Sequence, residues 1–275
     1  MSPNTIFPPN DTMQVDVKDN IAHVAFHRPE QLNALNDEMV VAASAIFKAI
    51  RADQSIRCVV LSGRGEHFMA GGDIRAFKDM VEGEPDKSTV RHHFQRLLSE
   101  MHDIILDIRQ MPIPVIASVR GGVAGAGVSF ALACDMIIAS KTAFFTLAYC
   151  HLGVSPDGGS TFALPRAVGI KRAFEIALLG DRFGAQTAKE WGLVNFVVDD
   201  ARLEDETDNL LTRLANGPGL AYAHNKALLN MSLDNDLETQ LEQEASRFAD
   251  CTTTNDFSEG LSAFIEKRKP RFSDT

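Results

Sequence analysis

A chain of 275 residues with 45% apolar and 23% charged side chains can bury a proper core, and its length fits one domain with an appendage or two small ones. Its 27 basic residues stand against 37 acidic ones, a formal charge of −10 that argues against general binding to a phosphate backbone, so nucleic acid is not an expected partner. Cys58, Cys134, Cys150 and Cys251 are widely spread, with no paired C-x-x-C and no companion histidine spacing; they suggest neither a metal site nor a disulfide framework, and reduced thiols fit best.

The N-terminus has no basic region followed by a long apolar one, and the most apolar stretch, 128–139, is broken by Asp135. A cytoplasmic protein that neither enters nor spans a membrane is expected. Residues 1–12, rich in Pro and Asn, read as a loose arm. Met13–Val17 and Ile21–Phe26 read as two strands around the turn sequence Lys18-Asp19-Asn20. Asn36 then caps a helical pattern (Met39, Val40, Ala43, Ile46, Phe47, Ile50), and Cys58–Leu61 is a buried strand that ends at Gly63.

A helix is expected over 89–109, stopped by Pro112 and Pro114 before the strand Val115–Val119. Ala126–Cys134 reads as a helix, Met136–Ala139 and Ala143–Phe145 as strands, and Val194–Val198 as a further strand after two helical segments. From Ala201 strand signals vanish and four helical segments follow, broken near Gly217-Pro218, Asp234-Asn235 and Thr252–Thr254, with Leu237, Leu241, Ala245 and Phe248 in one apolar stripe. The expected organisation is a mixed α/β core over 1–200 and an all-helical part over 201–275.

Two glycine-rich loops run from strand regions into helices, 68–74 and 120–127. Their small residues allow close backbone approach, and the first amides of the following helix point outward unpaired, a place that favours negative charge. The second loop lacks G-x-G-x-x-G, lacks the P-loop pattern and misses the last glycine of G-x-S-x-G, which sets aside the usual nucleotide folds and the complete nucleophile elbow.

The series HRPEQLNAL (27–35), AGGDI (70–74), RGGVAGAG (120–127), PDGGSTFALPR (156–166), GLV (192–194) and SAFIEKRKPRF (262–272) resembles the enoyl-CoA hydratase/isomerase, or crotonase, family over nearly the whole chain. The resemblance implies a crotonase-like α/β spiral of β-β-α units with an all-helical C-terminal part used for trimerisation, as a homotrimer or a hexamer of paired trimers. It implies an oxyanion hole made by the amides of Gly72 and Ala126. It also implies an acyl-CoA thioester as partner, with coenzyme A arriving as part of the substrate and no permanently bound cofactor. Gln31, Leu32, Ala70, Gly72 and Ile74 would surround the adenine and pantetheine, with Phe264 and Lys267 near the coenzyme. The basic cluster Lys267, Arg268, Lys269 and Arg271 suits either the coenzyme phosphates or a helix C-terminus.

By the same resemblance the two glutamates of typical hydratases align with Ser129 and Tyr149. Serine has no useful basicity and an ordinary tyrosine titrates near pH ~10, so rapid hydration is not expected. Asp157 is the remaining carboxylate beside the expected pocket, and one carboxylate suffices to carry a proton from one carbon to another. The alternative role for Asp157 is a cap on a helix starting at Gly158. Asp73 and Asp135 are assigned to caps and local hydrogen bonds. The expected activity is enoyl-CoA isomerisation; the alternatives are a hydratase whose water is positioned by Tyr149 or Asp157, a non-catalytic acyl-CoA binder, and a serine hydrolase using Ser129, His151 and Asp157, which occur in triad-like order.

Overall fold

Residues 6–273 are described in the computed structural model of the chain; the first five residues of the expected N-terminal arm lie outside them. The rest of that arm is not loose. Ile6 packs against the core, Asn10 donates its side-chain amide to the Glu38 carbonyl, and its Oδ1 accepts from the amide and hydroxyl of Thr12. Side-chain to backbone bonds of this kind hold a segment that has no helix or strand period.

Strands β1 (Met13–Lys18) and β2 (Ile21–Phe26) pair antiparallel across Asp19 and Asn20, whose φ values of 52° and 63° make the tight hairpin turn that Asp and Asn tolerate. Asn36 caps α1 (Asp37–Ala52) by accepting from the Met39 amide at 3.0 Å, and α1 returns the chain so that β3 (Cys58–Gly63) runs parallel to β2. Helices α2 (Ile74–Gly83) and α3 (Lys87–Gln110) precede β4 (Val115–Val119), which runs parallel to β3. Then come β5 (Gly122–Ala124), α4 (Ala126–Ala133), β6 (Met136–Ser140) and β7 (Phe144–Thr146). Helices α5 (Ser160–Val168) and α6 (Ile170–Leu179), β8 (Phe183–Gly184), α7 (Ala185–Glu190) and β9 (Phe196–Val198) complete the α/β part.

The strands form a six-stranded sheet in the order β1-β2-β3-β4-β6-β9 and a three-stranded sheet in the order β5-β7-β8. Period-2 alternation divides the larger sheet cleanly. Ala22, Val24, Val59, Leu61, Val115 and Ala117 join one apolar cluster with α1 and α3, whereas Ile21, Cys58, Val60, Ile116 and Ile138 join another. The second face is covered by Leu203 and Leu211 of α8 (Leu203–Ala215), the first of the four helices after residue 200.

The others are α9 (Gly219–Met231), α10 (Leu237–Cys251) and α11 (Asn255–Glu266). Lys226 of α9 reaches back to the sheet, donating to the carbonyls of Ile108 and Ile113 and pairing with Asp135 at 2.8 Å. Asp135 also accepts from the Val115 amide at 2.8 Å, so its role is structural as expected but its bonds are long-range rather than local. Leu237, Leu241 and Phe248 all face outward, 73%, 54% and 69% exposed. Among the described residues, no helix is long and apolar enough to cross a membrane.

Candidate active site

The loop 68–73 is pinned on both sides. Leu35 donates to the Gly71 carbonyl at 2.7 Å and accepts from the Asp73 amide at 2.8 Å, while Met69 accepts from the Ala124 amide at 2.9 Å. The two glycine-rich loops therefore meet. A Cβ on Gly71, whose φ is 97°, would lie 3.3 Å from the Ala124 carbonyl oxygen, and one on Gly125 would lie 3.4 Å from the Gly71 Cα and 4.0 Å from the Tyr149 ring. The positive φ at both positions, 97° and 50°, favours glycine, and at Gly71 the carbonyl leaves little room for a side chain. Gly72 follows Gly71 in the first loop and Ala126, the first residue of α4, follows Gly125 in the second, and among the described residues no backbone acceptor is found for either amide. Of the two, only Ala126 opens a helix, where a free amide favours nearby negative charge.

Asp157 is joined to the loops through Tyr149, whose ring lies next to Gly125. The Tyr149 hydroxyl donates to Asp157 Oδ1 at 2.7 Å, and the Asp157 backbone carbonyl accepts from the Ser129 and Ser160 hydroxyls, each at 2.9 Å. The carboxylate does not cap a helix. Gly158 and Gly159 take positive φ values of 61° and 75°, α5 starts only at Ser160, and no side chain caps it. Burial pushes the Asp157 carboxyl above the ordinary carboxylate range, opposed by the Tyr149 hydrogen bond and by nearby His102. Burial, with the Asp157 charge, pushes the Tyr149 phenol up, so Tyr149 is a neutral donor rather than a base.

Ser129 is buried with its hydroxyl engaged by the Asp157 carbonyl, and His151 sits elsewhere, its Nε2 at 3.3 Å from the Gly180 carbonyl and its Nδ1 at 3.8 Å from Cys150 Sγ. Ser129, His151 and Asp157 thus do not assemble a nucleophilic triad, because a triad needs the histidine bonded to the serine hydroxyl.

Of the residues expected to surround the coenzyme, those of 31–32 and 70–74 lie on adjoining segments. Gln31 ends a 3-10 turn, Leu32 takes a φ of 53°, and its carbonyl accepts from the Ala70 amide at 3.0 Å; Leu32 and Ile74 leave half-exposed apolar edges beside Gly72. Sequence reasoning missed the groups that hold this loop. Asn33, fully buried, donates to the carbonyls of Arg64 and His67 and accepts from the Arg28 amide, and Arg28 pairs at 2.9 Å with Asp73, which also caps α2. Both Arg28 and Asn33 lie inside the HRPEQLNAL segment, which was the available signal.

Phe264 and Lys267 stand apart from the cradle within one chain: Phe264 is 86% exposed on α11, and no hydrogen bond or ion pair among the described residues links either to the loops above. In the basic cluster, Arg268 is held by Glu259 and Glu266, each at 2.6 Å, and Glu259 also accepts from the Arg271 amide.

Residues 16–275 match the sequence profile described as enoyl-CoA hydratase/isomerase. The chain belongs to the enoyl-CoA hydratase/isomerase family. It is 36% identical over 258 residues to the 1,2-epoxyphenylacetyl-CoA isomerase of Escherichia coli, covering 94% of this chain and 96% of that one. It is 32% identical over 252 residues to the short-chain-enoyl-CoA hydratase of Clostridium acetobutylicum, covering 90% and 92%. The crystal structure of an enoyl-CoA hydratase from Mycobacterium smegmatis matches with a TM-score of 0.87 at 31% identity, covering 96% of this chain and 99% of that one. The fold is accordingly the crotonase fold, mixed α/β with a helical C-terminal part. Relatives in the family bear both hydratase and isomerase names, so the reaction rests on the groups that move protons.

Proposed function

We propose that this chain is an enoyl-CoA double-bond isomerase in which Asp157 is the proton carrier. The observation that carries it is the Tyr149–Asp157 hydrogen bond at 2.7 Å: of Ser129, Tyr149 and Asp157, only Asp157 offers a carboxylate to accept a proton, since Ser129 is engaged and Tyr149 is a donor. For a 3-enoyl thioester, the Asp157 carboxylate removes a proton from C2. The electron pair moves into the thioester carbonyl, and the Gly72 and Ala126 amides hold the resulting oxyanion, each worth roughly 3–4 kcal/mol in a dry site. Asp157 then returns the proton to C4, leaving the double bond between C2 and C3. A carboxyl raised above its ordinary range is better matched to this exchange than an ordinary one.

In this proposal the coenzyme lies along Gln31, Leu32, Ala70, Gly72 and Ile74, with Phe264 and Lys267 approaching in an assembled homotrimer whose contacts include the exposed stripe on α10. The enzyme works in the cytoplasm, where its four unpaired cysteines stay reduced.

The test is a panel of 2-enoyl, 3-enoyl and phenylacetyl-type CoA thioesters in deuterated water, followed by mass. Wild type should move the 3-enoyl double bond and exchange the C2 proton faster than it hydrates crotonyl-CoA. Asp157→Asn should lose both activities by on the order of 10²–10⁴ while keeping coenzyme A affinity within severalfold. Faster hydration than isomerisation, or full exchange by Asp157→Asn, would overturn the proposal.

A further inference from the structure

The peptide that joins Asp157 to Gly158 is gripped at both of its polar ends. Its carbonyl accepts from Ser129 Oγ of α4 and Ser160 Oγ of α5, each at 2.9 Å, and its N–H donates to His102 Nε2 of α3 at 3.3 Å. Neighbouring contacts tighten the same peptide. A Cβ built on Gly158 would fall 2.6 Å from the Ser129 Cβ and 3.1 Å from the Met101 Cε, and one on Gly159 would fall 3.8 Å from Ile105. Consecutive turns of α3 thus carry Met101, His102 and Ile105 against one glycine pair. His102 and Ser129 do not bond the Asp157 carboxylate; they bond the backbone one Cα away from it.

We propose that His102 and Ser129 are positioning residues that fix the Asp157–Gly158 peptide and so set the direction from which the Asp157 carboxylate meets the thioester, an inference that rests on the isomerase assignment above. The close packing has a second consequence. The Gly158 backbone occupies the space just beyond the Ser129 Cβ, so a glutamate at 129 would need the volume that the loop fills. The short side chain at 129 and the inward-facing aspartate at 157 are two halves of one exchange: the loop that delivers the base closes the place where the aligned hydratase carboxylate would stand.

The test compares wild type with His102→Ala, His102→Gln and Ser129→Ala, reading kcat and KM on a 3-enoyl-CoA and, separately, amide hydrogen exchange over residues 157–160. His102→Ala and Ser129→Ala should each lower kcat about five- to tenfold, the size of one neutral hydrogen bond, with KM little changed. His102→Gln, whose amide oxygen can accept from Gly158, should recover most of the loss, and exchange at the Gly158 amide should quicken in His102→Ala only. Unchanged kcat in both alanine variants would overturn the inference, as would no recovery by glutamine. If wild type itself moves no double bond, the isomerase assignment fails, and the grip is then decided by exchange alone: an unaltered Gly158 rate in His102→Ala refutes it.

Discussion

Tyr149→Phe deletes the hydroxyl that donates to Asp157 Oδ1 at 2.7 Å and keeps a ring that is otherwise buried. The bond favours the ionised carboxylate, and a hydrogen bond to a charged group is worth about 1.5–3 kcal/mol. Its loss therefore lowers the ratio of ionised to protonated Asp157 by roughly 10- to 100-fold. The sign follows directly. Burial already holds the Asp157 carboxyl above its ordinary range, and removing the opposing Tyr149 bond raises it further. In the proposed mechanism the rate needs the carboxylate, so the acid limb of the pH profile of kcat/KM should move toward neutral pH. Below the limb the variant should be slower by about the same 10- to 100-fold, and well above it close to wild type. The assay is 3-enoyl-CoA isomerisation followed from acid to neutral pH in buffers of constant ionic strength. An unmoved limb with a lowered plateau would refute the reasoning and make Tyr149 itself a proton-transfer group.

Ala126→Pro removes an amide for which no backbone acceptor is found among the described residues, at the first position of α4, where proline is tolerated; turnover should fall by about 10²-fold or more with melting little changed, and normal turnover in a folded protein would reject the oxyanion assignment. Lys226→Met strands Asp135, whose partner side chain is only 9% exposed, so urea unfolding should show a loss of about 3–5 kcal/mol, and an unchanged midpoint would mean the pair adds nothing. If the chain assembles as the proposed trimer, Leu241→Glu together with Phe248→Glu, on the exposed stripe of α10, should give monomers by sedimentation; wild-type sedimentation of the double variant would remove that stripe from the interface.

The elements that could be read from the chain alone are those fixed by local rules. The strand Val115–Val119 sits between two prolines and a glycine pair, and Asn36 caps α1 through its own side chain; both match the structure. What local rules could not give depends on partners distant in sequence. Strands β5 and β8 are three and two residues long, and they exist because β7 lies between them. The alternative of a helix starting at Gly158, capped by Asp157, fails because Gly158 and Gly159, both at positive φ, delay the helix to Ser160, which leaves the Asp157 carboxylate to pair with Tyr149. His102 carried no signal at all, being one exposed position among the polar residues of α3. The glycine loops suggest a place for an anion on local grounds, but the choice of the Gly72 and Ala126 amides comes from the family resemblance.

The face of the large sheet formed by Ile21, Cys58, Val60, Ile116 and Ile138 is closed by Leu203 and Leu211, side chains made long after the strands they cover. During synthesis from the N-terminus, β2, β3, β4 and β6 emerge with one apolar surface sealed by α1 and α3 and the other wet until α8 has left the ribosome. A nascent chain of this protein therefore presents a broad sticky sheet for the time needed to add the residues between β6 and α8. Chaperone capture, or aggregation of chains truncated before Leu203, is the expected cost of putting the last cover so far downstream.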